Sequence, residues 1–348
     1  MIRTVTGLVQ SLPEYLDDTL KRIRQSPPRQ TSLAFQAFAW LIAARTALRA
    51  DQLCEALAIS SDDTKLLMNR KPNMQLVVVA CRGLIMIKPD TGAVEFFHHT
   101  IMEHLAAEPE LLELARAVAA NSLHYLLYDN FAAPCETLEE IQHRRHRYPL
   151  TAYLSVHWSE HLHGRFETEF EDQIIQLLLS PAILSSLQLL PPQVAFESRI
   201  IGHFSVPKPD TWWGPDKVAM SLAVHYGLRF IAKRLSATGH DVNFTIPQGP
   251  HYTPLHGAVF HADANMVEDL VVDGKAWVDP QDIWGLTPLH LAMTLPSTPP
   301  RLRIVDMLCH AGASLSQPDQ DGDFGSTRCC SVCKRRRYQV SPRIQARC

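Results

Sequence analysis

Apolar side chains recur through much of the chain at spacings of three and four, the mark of helices buried on one side. In SLPEYLDDTLKRIRQ (11–25), Leu16, Leu20 and Ile23 form such a stripe, with Ser11 placed to cap the helix and Pro13 in its first turn. SPPRQTS then predicts a break. LAFQAFAWLIAARTAL places Leu33, Phe35, Phe38, Ala39, Leu41 and Ile42 on so many sides that the helix should be buried almost all round. LRADQLCEALAI is a short amphipathic helix with Leu53, Cys54 and Leu57 inward, and NMQLVVVACRG is a third apolar segment ending at Gly83, a helix C-cap. LIMIK and AVEFF flank PDTG, and two β-prone runs around such a turn make a hairpin. From 107 to about 206 the period stays helical, in ELLELARAVAANSLHYLLYDNF, YPLTAYLSVHWSEHLHG and FEDQIIQLLLS.

A second regularity has a longer period. YTPLHGAVF and LTPLHLAM carry Thr253-Pro254-Leu255-His256 and Thr287-Pro288-Leu289-His290, 34 residues apart. Proline opens a helix where no amide donor is needed, and Thr and His can bond each other and the nearby backbone. Leu255 and Leu289 go to the core. MVEDLVVDGKAWVD and IVDMLCHAGASLSQ supply a second helix each, then Gly274 and Gly312 as left-handed caps. T-P-L-H at this period resembles the ankyrin repeat. SLAVHYGLRFIAKRLSATGHDVN reads as a degenerate earlier unit, with Ala223, Gly227 and Gly239 in register. Gly322 stands 37 residues after Gly285, the excess accounted for by the insertion TLPSTPPRL. The sequence after Gly322 leaves the repeat. On this reading Trp277 and Trp284 sit on connecting loops, Phe260 and Met293 turn to the concave side, and all four are candidates for binding a protein partner.

Three helices followed by a hairpin is the order of a winged-helix domain, over 31–106. Such domains often bind DNA, but this stretch carries seven basic and seven acidic residues, and its third helix is mostly Leu, Val and Ala. A helix that reads base edges needs Arg, Asn or Gln facing out, so a DNA-binding regulator is the minor reading and no nucleic-acid partner is expected. The whole chain has 348 residues, 46% hydrophobic, with a net charge of −3, giving no general attraction to nucleic acid or acidic membrane. It shows no membrane-length apolar run and no signal peptide, and is expected to be cytoplasmic. Cys54, Cys81 and Cys309 fall in apolar helical patterns and Cys135 in a loop, as reduced thiols would. Cys329, Cys330, Cys333 and Cys348 crowd the end with one C-x-x-C and no second pair or histidine at finger spacing, which favours an unstructured tail over a zinc site.

HWSEH (157–161) fits H-x-x-E-H, the zinc-binding pattern of inverted metalloproteases, with Glu160 as general base and His157 and His161 one turn apart as ligands. Tyr148, Leu150, Tyr153, Leu154, Trp158 and Leu162 give the same stretch the spacing of a packed helix face. A structural helix is therefore preferred to a zinc hydrolase. In HHTIMEH (98–104) the spacing is wrong for the motif, and His98 and His99 end the hairpin and start a helix. HRRHR (143–147) reads as a solvated loop.

SLPEYLDDTLKRI, AFAWLIAARTALRADQLCEALAI and RGLIMIKPDTGAVEFFHHTIMEHLA together resemble the segment that follows the NACHT-type NTPase in many fungal multidomain proteins, the GPI inositol-deacylase winged-helix domain. YPLTAYLSVHWSEHLHG resembles the helical stretch that joins that domain to an ankyrin array. The resemblance runs to about residue 322 and implies an NLR-like signalling setting without implying deacylase activity. No G-x-x-x-x-G-K-[ST] loop is present, so no nucleotide site is expected, and the chain resembles an internal fragment or a reduced paralogue of those proteins. The residues after Gly322 fit a shifted reading frame. The expected fold is mainly α: a helical lead-in (1–30), the winged-helix domain with its small hairpin (31–106), a helical linker (107–213), a solenoid of about three ankyrin repeats (214–322) and a disordered tail (323–348). The expected role is non-enzymatic, without cofactor or metal.

Overall fold

A computed structural model describes residues 12–190, 214–245, 251–296, 298–318 and 320. Ser11, the end of the expected linker, Gly322 and the cysteine-rich tail lie outside the described residues. The described chain is mainly helical, with one two-stranded antiparallel hairpin. It divides into two compact units, one of residues 12–130 with 143–161, the other of 131–142 with the described residues from 162 onward. The helices expected as a linker contribute to both.

In the first unit, α1 (Leu12–Arg24) buries Leu16, Leu20 and Ile23. The expected break shrinks to three residues, because Pro28 opens α2 (Pro28–Ala43) at its first position, where the missing amide costs nothing. Helix α2 buries Ala34, Phe35, Ala37, Phe38, Ala39 and Trp40. Around it stand α3 (Ala50–Ala56), α4 (Met74–Ala80), α5 (His99–Ala106) and α6 (Pro109–Leu126). Asn73 caps α4, its Oδ1 accepting the Gln75 amide at 2.8 Å, and His98 caps α5. β1 (Ile85–Ile87) pairs with β2 (Val94–Phe96) in the register Ile85↔Phe96, and Gly92 takes the left-handed conformation the turn requires. An antiparallel bridge, Arg49↔Ala93, ties the entry to α3 onto the hairpin. Helix α4 faces inward with Val77 and Ala80 and leaves Leu76 and Val79 exposed.

Beneath this layer Glu55 is fully buried, receiving the Tyr125 hydroxyl, with the Lys71 ammonium 3.7 Å away. Burial pushes its carboxyl up to about 7, against the opposing pull of Tyr125 and Lys71.

HRRHR is helical, a correction to the loop reading. It closes α7 (Leu138–Arg147), which opens with Glu139 and Glu140 and ends with Arg144, Arg145, His146 and Arg147, the order that suits the helix dipole. Helix α8 (Thr151–His157) passes into one 3₁₀ turn, Ser159–His161.

The second unit continues with α9 (Arg165–Glu169), α10 (Glu171–Leu178) and α11 (Pro181–Gln188). Three helical hairpins follow: α12 (Pro215–His225) with α13 (Arg229–Ala237), α14 (Pro254–Phe260) with α15 (Ala264–Glu268), and α16 (Pro288–Thr294) with α17 (Pro299–His310). The leading helices α12, α14 and α16 lie side by side, and α15 lies on α17. Helices α10 and α11 cover α12 at the start of the row, burying Ile174, Leu177, Leu178 and Ile183. Cys135 is buried here, its amide donating to Gln188 Oε1 at 2.7 Å while Gln188 Nε2 donates to its carbonyl at 2.9 Å. Helix α13 lacks a cap of its own. The buried Glu167 supplies it from α9, one carboxylate oxygen accepting the amides of Phe230 (2.6 Å) and Ile231 (3.1 Å). The Pro-rich insertion forms the first turn of α17, and its Arg301 is buried with Nε donating to the Ala292 carbonyl at 3.0 Å.

Candidate functional site

The two T-P-L-H stretches adopt the same capping geometry. Thr253 precedes α14, and its hydroxyl oxygen accepts the His256 amide, while His256 Nδ1 accepts the Thr253 amide at 3.2 Å. Thr287 and His290 repeat both bonds at the start of α16, again at 3.2 Å from the Thr287 amide to Nδ1. With Nδ1 accepting, the proton of His256 sits on Nε2, which donates to the Leu286 carbonyl of the next unit at 3.1 Å. Burial pushes His256 down to about 4, the Leu286 carbonyl opposing, so the ring is neutral and its tautomer fixed. Pro254, Leu255, Pro288 and Leu289 are buried with the two histidines.

The caps at the far ends differ. Gly312 has φ +94, as expected for a left-handed cap, but Gly274 has φ −81, a correction. The second helix of that unit ends in a π turn over Asp269–Asp273, so the chain carries one residue more before it reverses. The left-handed position falls on Lys275, φ +53. Gly274 is held to glycine for another reason, since a Cβ there would lie 2.9 Å from the Leu270 carbonyl oxygen.

The loops between hairpins are tied by a ladder that sequence reasoning missed. Asn243 Oδ1 accepts the Trp277 amide at 2.8 Å, and in the next unit the Asp279 carboxylate accepts the Ser314 amide at 2.9 and 3.1 Å. The Trp284 carbonyl accepts the Gln320 amide at 3.1 Å. Asp282 folds its own loop, one oxygen accepting the amides of Trp284 and Leu286 at 2.8 Å each. An Asx residue recurring about one period before a loop amide was the available signal. From this pinned backbone project Trp277, 65% exposed, and Trp284, 44% exposed, with Ile283 beside the latter. Phe260, at the end of α14, is half-buried. Met293 is a correction. It is buried, with its sulfur 3.6 Å from the Arg301 guanidinium that the insertion brings over it.

Residues 284–320 match the ankyrin repeat family. The ankyrin match takes in Trp284, the second T-P-L-H and Gly312. No curated protein matches the chain.

HWSEH lies in the other unit. The expected single helix face is interrupted, because the backbone tightens from α to 3₁₀ after His157 and turns Trp158, His161 and Leu162 all inward. His157 Nδ1 is 2.8 Å from Glu160 Oε1. The Arg45 guanidinium holds Glu160 from the other side, 3.6 Å from Oε2 and 2.9 Å from the backbone carbonyl. The Tyr153 hydroxyl accepts the Arg45 amide at 3.1 Å and is hydrogen-bonded to His161 Nε2 at 2.9 Å. Burial first, then the charges of Arg45 and His157, push His161 down to about 4. His157, Glu160 and His161 are thus each engaged by a protein neighbour. Among the described residues no three His, Cys, Asp or Glu side chains converge at metal-ligand spacing.

Proposed function

We propose that the chain is a non-enzymatic interaction protein whose ankyrin surface, built by stacking about three repeats over 214–322, takes a protein partner. The observation that carries this is the pair Trp277 and Trp284. Large rings are held in solvent on loops whose amides are fixed, that of Trp277 by Asn243 and that of Trp284 by Asp282, which lowers the ordering cost of binding through them. Phe260 extends the surface to the end of a leading helix.

Residues 31–106, within the first unit, are proposed as a winged-helix module that packs instead of reading DNA. Three helices, the hairpin and the Arg49↔Ala93 bridge support the topology. Exposed Leu76 and Val79 on the third helix support a protein-facing role rather than base contacts. The setting proposed is NLR-like signalling in the cytoplasm. No described helix is long and apolar enough to cross a membrane.

The test is site-directed photo-crosslinking. A crosslinking residue is placed at 277, at 284 and, as a control, at Lys21 on α1, in full-length protein expressed in its native cell. One discrete adduct common to 277 and 284 and missing at 21 is expected. The same adducts at all three positions would sink the reading.

A further inference from the structure

At the ends of two neighbouring leading helices, a pair of rings meets nitrogen to nitrogen. His225 is the last residue of α12 and His261 is the C-cap of α14. Nδ1 of His225 and Nε2 of His261 are 3.2 Å apart, with ring centroids at 5.1 Å. Two neutral imidazoles placed this way share a single proton, so one lone pair always faces its partner's N–H. Burial pushes His225 down to about 3, the charge of His261 adding to it. Desolvation by its neighbours lowers His261 as well, with Asp263 opposing, although the ring keeps an edge in solvent. Both rings are neutral at pH 7, the form that ligates metals.

We propose that His225 and His261 form a two-histidine site for a borderline divalent transition ion, of the class Zn²⁺, Ni²⁺ or Cu²⁺, joining the first hairpin of the row to the second. The separation suits such an ion. With metal–nitrogen bonds of about 2.0–2.1 Å, a 3.2 Å gap sets the angle at the metal to about 100–106°, near tetrahedral. The ion sits to one side of the nitrogen–nitrogen line and takes a lone pair from each ring, while the proton held between them moves through solvent to the outer nitrogen of the ring that carried it, so both ligands are neutral imidazoles and no net proton is released. Imidazole ligands favour Zn²⁺, Ni²⁺ and Cu²⁺ over the hard cations. Both rings stand at helix C-termini, where the backbone carbonyls favour positive charge. His261 is exposed and His225 half-buried, which gives the ion a route in and leaves its remaining positions to water.

Full-length protein carrying Cys329→Ser, Cys330→Ser, Cys333→Ser and Cys348→Ser, so that the terminal thiolates cannot compete, is titrated with Ni²⁺ by calorimetry and loaded with Cu²⁺ for electron paramagnetic resonance. His225→Gln or His261→Gln should weaken Ni²⁺ binding by at least about tenfold, and the double variant no more than either alone. Coupling from two imidazole nitrogens should fall to one in each single variant, and His157→Gln should change neither readout. A titration that both single variants leave within about twofold of the parent, or an unchanged two-nitrogen coupling, would overturn the proposal. Should His225→Gln fail to fold, His261→Gln at its exposed position decides by the same two readouts.

Discussion

Replacing the same residue in consecutive repeats isolates one hydrogen bond. His256→Ala removes the acceptor of the Thr253 amide and the donor to the Leu286 carbonyl, and leaves a void where the ring was. Each buried backbone group left without a partner costs about 1–3 kcal/mol, and a lost cap about 1. With the void, the total is roughly 3–5 kcal/mol. His290→Ala removes the same cap, but His290 Nε2 has no partner among the described residues. It should therefore cost less than His256→Ala by about 1–2 kcal/mol, the worth of one part-buried bond between neighbouring hairpins. Urea unfolding of the full chain, followed by far-ultraviolet circular dichroism and by tryptophan fluorescence, measures both, fitted with one transition for each unit. Thr253→Ala and Thr287→Ala are the internal control. Their hydroxyls make matching contacts, so their costs should agree, at about 0.5–2 kcal/mol each. Equal losses for the two histidine variants, or a larger one at His290, would refute the reasoning even if both proteins were destabilised.

Three further outcomes can be checked. Glu55 titrates near 7 in the fold against 4.5 when free, so the folded state holds its proton more tightly and stability falls as pH rises between those values. Glu55→Gln should leave stability at pH 4.5 little changed and raise it at pH 8 by up to about 3 kcal/mol, read from urea midpoints. The second unit should respond in the opposite sense. His225 and His256 titrate near 3 and 4 when folded, below the free value of 6.5. Their contribution is complete above 6.5 and is lost as pH falls through 4 towards 3, measurable as an acid transition that His256→Gln makes shallower. Trp277→Ala with Trp284→Ala should leave unfolding within about 0.5 kcal/mol of the parent, because both rings are exposed, yet weaken the crosslinked partner's binding by more than about 2 kcal/mol.

The parts legible beforehand obey local rules. The stripe of Leu16, Leu20 and Ile23 and the reciprocal bonds of Thr253 with His256 lie within one or two helical turns, and short-range spacing encodes them fully. Gly274 was misread because its environment is made by a backbone insertion, the π turn at Asp269–Asp273, which no residue type announces. Met293 was misread because a residue from a Pro-rich insertion, Arg301, folds back over it. HRRHR looked like a loop because it has no apolar period, whereas its helix is supported by charge order along the axis and by Ile141 alone on the buried side. The exposure of Trp277 and Trp284 agrees with their placement on loops, and the ladder beneath them emerged only when separate periods were brought side by side.

Glu167 bears on how this protein can be cut. Two amides at the start of α13 depend on a carboxylate more than sixty residues upstream, so the first hairpin of the row borrows its anchor from α9. A transplantable piece must begin ahead of Arg165. A shorter one starting at Pro215 would present those amides to water, and its opening hairpin would fray before the other two.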